Sequence, residues 1–387
     1  MSDRNALWTK GFRPFFLGAI IFAIVAMSDW MAVFLFRLPV ELRGVSMYQW
    51  HAHEMIFGYS TAVIAGFLLT AAENWTGHKT ADGVFLALLF LSWCVARVLM
   101  MSGIGLLWYA AIADLLFMLG LFVAVARPVL RARQLRQAPI LLIIALLGLA
   151  NLSFYLGAAG LFTPGARLGV HGGLYLVLGM VLFMGRRVIP FFTERGVGYE
   201  VKLVNERWND IATLVAYPLF LISEVFWPYH LSGAVLAGVL FALNSRRVLG
   251  WHTLGVWQKP LLWGLFTAFI MINLGFLLRS LMPVTAIPPL LPVHAYAVGG
   301  IGIITVSMMA RVTLGHIGRN VHQSPPVLVV LLAGMVLTTI IRIFLPLMDP
   351  SWHRLWITAA GITWIASFAL FALVFTPMYL RPRANAP

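Results

Sequence analysis

Apolar residues along this chain neither alternate nor keep to a single stripe. They run in long blocks separated by short polar turns. Twelve blocks reach the length of about 20 residues that a helix needs to cross a hydrocarbon core about 30 Å thick. They lie at approximately 14–36, 50–73, 83–102, 104–127, 137–160, 166–190, 208–227, 230–249, 260–281, 288–311, 325–345 and 354–380, with almost nothing between the third and fourth. The two-residue period of a membrane barrel is absent, so the blocks are predicted helices. Pro14, Pro128, Pro139, Pro190, Pro260, Pro292 and Pro325-Pro326 mark helix ends. The pattern predicts an all-α polytopic membrane protein of about twelve transmembrane helices, forming a single domain over residues 1–387.

Composition agrees. Of 387 residues, 61% are hydrophobic and 10% charged, and the mean hydropathy is +0.90; soluble domains are about half apolar and a quarter charged. A net charge of +14 is compatible with a nucleic-acid partner, but its placement argues against one. Arg4, Lys10, Arg13, Arg127, Arg131, Arg133, Arg136, Arg186, Arg187, Arg195, Lys202 and Arg207 all fall in loops on one side if the N-terminus is cytoplasmic. The positive-inside rule then places both termini in the cytoplasm. The first span is too long for a signal core, carries Asp29 and lacks a small-residue cleavage site, so it reads as an anchor. Cys94 is the one cysteine. That excludes an intrachain disulfide, an all-cysteine iron–sulfur site and a Cys-x-x-Cys-His haem attachment. Metal chemistry here falls to histidine.

The histidines follow the topology. His51 and His53 begin span two, His171 begins span six and His294 begins span ten. These spans lie four apart and run in the same direction, which puts the four histidines at one depth near the outer surface. Spans two and ten read alike there, "HAHE" against "HAYA". A threefold pseudo-repeat of four helices would gather spans two, six and ten about one centre.

Ionisable residues inside a membrane usually face the protein interior and mark a functional pathway. Imidazole suits haem iron and copper. On a regular helix His51 and His53 point about 200° apart, so they serve two centres rather than one ion. The alternative for each is an interfacial or hydrogen-bonded histidine. His230 and His353 lie at outer loop edges and read as solvated. Among the inward histidines His78, His252, His316 and His322, the best metal candidate is His316, in "RVTLGHIGR". Glu54 is either a proton relay from the outer side or the partner of an arginine. Arg43 and Arg167 stand near the histidine layer and are candidates for haem propionates. "HAHEMIF" is not His-Glu-x-x-His, so zinc-protease chemistry is excluded.

The stretches "GFRPFFLGA", "WHAHEMIFGY", "AVIAGFLLTAAENWTG", "GRRVIPFFT" and "HAYAVGGIGIITVSMMARVTLGHIGR" resemble the NnrS family. The resemblance implies a bacterial inner-membrane protein containing haem b and copper and associated with denitrification and the response to nitric oxide. It carries His51, His53 and Glu54 onto the family's Trp-His-x-His-Glu motif and His294 onto its His-Ala motif. Arg311, Gly315, His316 and Arg319 fall on a third motif, with Thr313 in place of a serine. Phe266, and a position near Tyr155, stand where many members have histidine. The layout is similar to the catalytic subunit of haem–copper oxidases, whose ligands lie on helices two, six and ten; shared layout does not establish shared function.

The sequence therefore supports a haem- and copper-binding membrane protein that takes nitric oxide as ligand or substrate. His51, His53 and His294 are its haem ligands, and His51, His53, His171, His294 and His316 its metal ligands. The competing readings are a transporter of metal or nitrosyl-iron species and a haem-holding sensor or assembly factor.

Overall fold

The computed structural model describes residues 3–36, 45–102, 104–321 and 324–382. Among them are twelve long helices and no strand. In chain order they are α1 (Phe12–Phe36), α2 (Met47–Thr76), α3 (Gly83–Met101), α4 (Leu107–Arg131), α5 (Ala138–Ala158), α6 (Gly165–Gly196), α7 (Arg207–Phe226), α8 (Leu231–Trp251), α9 (Pro260–Leu281), α10 (Leu290–His316), α11 (Val327–Met348) and α12 (His353–Leu380). Each coincides with one apolar block, and the protein is an all-α polytopic membrane protein.

Eleven of the described helices are long and apolar enough to cross a membrane, in keeping with the expected count of about twelve. The exception is α8, whose last third carries Asn244, Ser245, Arg246 and Arg247. Pro190 does not end α6, which continues to Gly196 with the proline inside it. A proline interrupts a membrane helix less than a soluble one, because neighbouring groups re-satisfy the freed backbone.

The chain divides into two compact units. The first comprises Met1–Val177, Val312–Arg319 and Phe368–Pro387, and the second Leu178–Arg311 and Asn320–Ser367. In the first, α1 packs along α2, α3 along α4 and α4 along α5. Phe12, Phe15, Phe16 and Phe117 fill its core. Arg13, expected in the sequence to set topology, is buried and donates from Nη1 to the carbonyls of Tyr379 (2.9 Å) and Arg381 (2.6 Å). It closes the C-terminal end of α12, where unpaired carbonyls attract a cation. In the second unit, α7 packs on α8 and α8 on α9 around Phe220, Trp251, Phe269 and Phe276.

The likeness of spans two and ten extends to the backbone. In α2 the α-helical turns Met47–His53 pass into a π-helical segment, Glu54–Ser60, before α-helix resumes at Thr61. In α10 the turns Leu290–His294 pass into a π segment, Ala295–Gly302, before Ile303. Both wide segments start directly after a predicted histidine. Such segments are rare and gather at functional sites. Ser60 Oγ fits the wider turn by donating to Met55 O, five residues back, at 2.8 Å. Close packing fixes both segments: a Cβ on Gly58 would lie 2.3 Å from Phe22 Cε1, and one on Gly300 would lie 2.4 Å from Ile272 Cγ1.

Candidate functional site

Ser46 caps the start of α2 in a reciprocal capping box with Gln49, which sets the register that carries His53 and Glu54 inward. At the junction of the α and π turns both side chains are fully buried. Widening the helix redirects its carbonyls, and Trp93 Nε1 of α3 donates to Gly58 O at 3.0 Å.

Around His53 and Glu54 four helices of the first unit contribute a buried polar network. Arg97 on α3 donates from Nη1 to Glu54 Oε1 at 2.7 Å and from Nη2 to Asp114 Oδ2 on α4. Tyr155 on α5 donates to Asp114 Oδ2 at 3.1 Å. His53 Nδ1 lies 2.8 Å from Glu54 Oε1, and its Nε2 lies 2.9 Å from Asn151 Oδ1 on α5. Phe154 stacks on the imidazole at 4.0 Å, and Phe57 stands at 5.0 Å. Relative exposure is 0% at His53, Glu54, Asp114 and Asn151 and 3% at Arg97.

One guanidinium faces two carboxylates, which leaves a net negative charge in a site without solvent, at a cost of several kcal/mol. Both partners of His53 are acceptor oxygens, with the Asn151 amide oriented as it stands. Whichever tautomer the ring adopts, both of its nitrogens are engaged, beside one guanidinium and two carboxylates. Valences remain open even so. Glu54 Oε2, Asp114 Oδ1, Arg97 Nε and Asn151 Nδ2 are buried without a hydrogen-bond partner among the described residues. Four such atoms in one cluster are unusual, since nearly all buried polar atoms are satisfied.

The second unit holds a simpler relative. Arg279 of α9 meets Glu224 of α7 through Nε (2.8 Å) and Nη2 (2.7 Å), and Nη2 also donates to His230 O at 2.9 Å. Both side chains are 2% exposed. Gly233 gives them room, because a Cβ there would stand 2.0 Å from Glu224 Oε1.

The other predicted residues fall in both units. His51 is half-buried and stacks on Trp30 at 4.5 Å. His171 is half-buried on α6, its ring 6.5 Å from that of Tyr175, and Arg167 lies one turn earlier. His294 belongs to the second unit and places Nδ1 2.7 Å from Leu290 O. His316 packs on Phe12 at 5.5 Å. His230 caps α8 through Nδ1, and His252 Nε2 accepts the Trp257 indole N–H at 3.1 Å. Arg43 and His322 lie outside the described residues. Phe266 is buried against His252 and Trp257, and Tyr155 is a member of the network. Among the described residues no three of histidine, cysteine, aspartate and glutamate stand together to hold one metal ion.

Sequence reasoning named His53 and Glu54 but missed Arg97, Asp114 and Asn151. The first two carried a signal, being ionisable residues within apolar spans; Asn151 carried none. Of the two roles foreseen for Glu54, pairing with an arginine is realised through Arg97.

No curated protein matches the chain. The family model described as NnrS protein matches residues 6–383, nearly the whole length, and the chain thus belongs to the NnrS family of membrane proteins connected with nitric oxide metabolism.

Proposed function

We propose that this protein binds haem b and nitric oxide in the bacterial inner membrane, with both termini cytoplasmic and its histidine layer near the periplasmic face. The observation that carries the reading is the His294 ring. Its Nδ1 donates to Leu290 O at 2.7 Å, which makes Nε2 the lone-pair nitrogen. Metal-bound imidazoles use this arrangement, one nitrogen tied to a carbonyl and the other on the metal. His294 would therefore be a residue that holds the iron, and it stands at the mouth of a π segment. His51, backed by Trp30, is the second candidate. Arg167 and His171, one turn apart on α6, offer a cation and an imidazole on one helix face.

His53 does not fit. It is fully buried, with Nδ1 on Glu54 Oε1 and Nε2 on Asn151 Oδ1, so neither nitrogen is turned to a ligand. Copper would fall to His171; among the described residues no group of three ligands is assembled around it.

Bound haem iron would supply an open coordination position for a diatomic gas. The remaining work falls to the chain. The apolar bundle admits nitric oxide. Glu54 Oε2, buried without a hydrogen-bond partner among the described residues, is the atom from which a proton relay would begin. Reduction of the gas would draw on that relay and on an external electron donor. Transport is less well supported. It calls for broken helices, whereas α2 and α10 are wound continuously through their π segments.

The test is an optical spectrum of protein purified after haem-replete expression, with and without nitric oxide. A reduced haem band that shifts on adding the gas is expected. Colourless protein would end the reading.

A further inference from the structure

At the end of α10 remote from His294, a small pocket in the second unit is lined by Arg311, Lys259 and Ser324 and walled by Gly196, Leu261 and Leu262. No acidic side chain lines it. Arg97, Arg186, Arg246, Arg247 and Arg279 each pair with a carboxylate, but among the described residues Lys259 and Arg311 do not. The Arg311 guanidinium lies 3.6 Å from the centre of the Phe192 ring. This cation–π contact holds the guanidinium without using its N–H donors, and no described residue accepts a hydrogen bond from them. Beside it α9 begins at Pro260 and α11 at Val327, neither with a side-chain cap, and helix starts add positive potential. Gly196 lets the end of α6 close on Leu262, since a Cβ there would stand 3.0 Å from Leu262 Cδ1.

The geometry points to a binding site for a phosphate-bearing anion, held by Arg311 and Lys259. A planar fork beside a point-charge ammonium matches a tetrahedral group with several acceptor oxygens better than a lone carboxylate. The pocket lies among helix ends, the level at which headgroups meet a membrane protein, and basic pockets between helices there take anionic lipids. Leucine walls suit the glycerol end of such a headgroup. Free phosphate offers the same oxygens without the apolar part. The site is independent of any haem.

Full-length protein, delipidated in dodecyl maltoside, is titrated with dioctanoyl phosphatidylglycerol and separately with inorganic phosphate at constant ionic strength, following melting temperature and saturation. A saturable response to phosphatidylglycerol alone assigns the pocket to lipid; a response to inorganic phosphate assigns it to the free anion. In either case Arg311→Gln weakens binding about tenfold or more, the worth of a charge-assisted pair, and Arg311→Lys does not restore it because the fork is lost. Lys259→Glu, a reversal at a half-exposed residue, keeps the test decisive should Arg311 variants fail to fold. No saturable response to either probe, or undiminished binding in Lys259→Glu, overturns the site.

Discussion

Both units bury an arginine against a carboxylate near a helix end, but they balance the charge differently. In the second unit Arg279 faces Glu224, one cation for one anion, on α9 and α7. In the first, Arg97 faces both Glu54 and Asp114, and His53 Nδ1 lies on the same Glu54 oxygen. The matched pair is a sufficient structural device. The surplus carboxylate, with four buried polar atoms around it left unpaired among the described residues, is more than packing requires. Buried polar groups retained beyond structural need are where function belongs in a membrane protein.

Removing the cation tests this difference most severely. Arg97→Met leaves two carboxylates buried and is expected to cost about 3–5 kcal/mol, read as a collapse of melting temperature by tryptophan fluorescence. Adding Glu54→Gln recovers only part of that loss, because Asp114 stays uncompensated. Arg279→Met is expected to cost about 3 kcal/mol, whereas Arg279→Met with Glu224→Leu returns most of it, since no charge is then left behind. Equal recovery in the two double variants would erase the distinction between the clusters.

The π segments offer a symmetrical comparison with smaller effects. Gly58→Ala and Gly300→Ala each drive a methyl into a packed side chain, at an expected cost of about 1–3 kcal/mol in thermal unfolding. If one is neutral, the two segments are not packed alike.

Smallest is the surface pair. Two hydrogen bonds from Arg246 hold the Glu206 carboxyl below its ordinary value. Its contribution is complete at neutral pH and is lost as pH falls through the lowered value. The pair is exposed, so Glu206→Gln should leave the melting temperature unchanged at neutral pH. A clear drop would mean that exposed pairs weigh as much as the buried ones.

Most of the fold was legible because crossing lipid demands long apolar runs, and all twelve runs became helices. The ends were less legible. Pro190 reads as a stop, but the surrounding membrane protein tolerates it within α6. The backbone likeness of α2 and α10 was foreshadowed by "HAHE" and "HAYA", but nothing in either string reports a π turn, which depends on how Phe22 and Ile272 pack on glycine. Of the site, His53 and Glu54 stood out as polar residues at the mouth of an apolar run. Their roles were not legible, because helical spacing tells which way a ring points and not what meets it. Arg97 and Asp114 come from other helices, and only the fold brings them to His53.

The central claim of the proposal is that His294, rather than His53, would hold the iron. It is tested most directly by reduced haem spectra of His53→Gln and His294→Ala, purified side by side with folding checked by monodisperse elution. The account expects His53→Gln to keep the haem band and its shift with nitric oxide, and His294→Ala to lose both. Retention of the band in His294→Ala with its loss in a folded His53→Gln would contradict it.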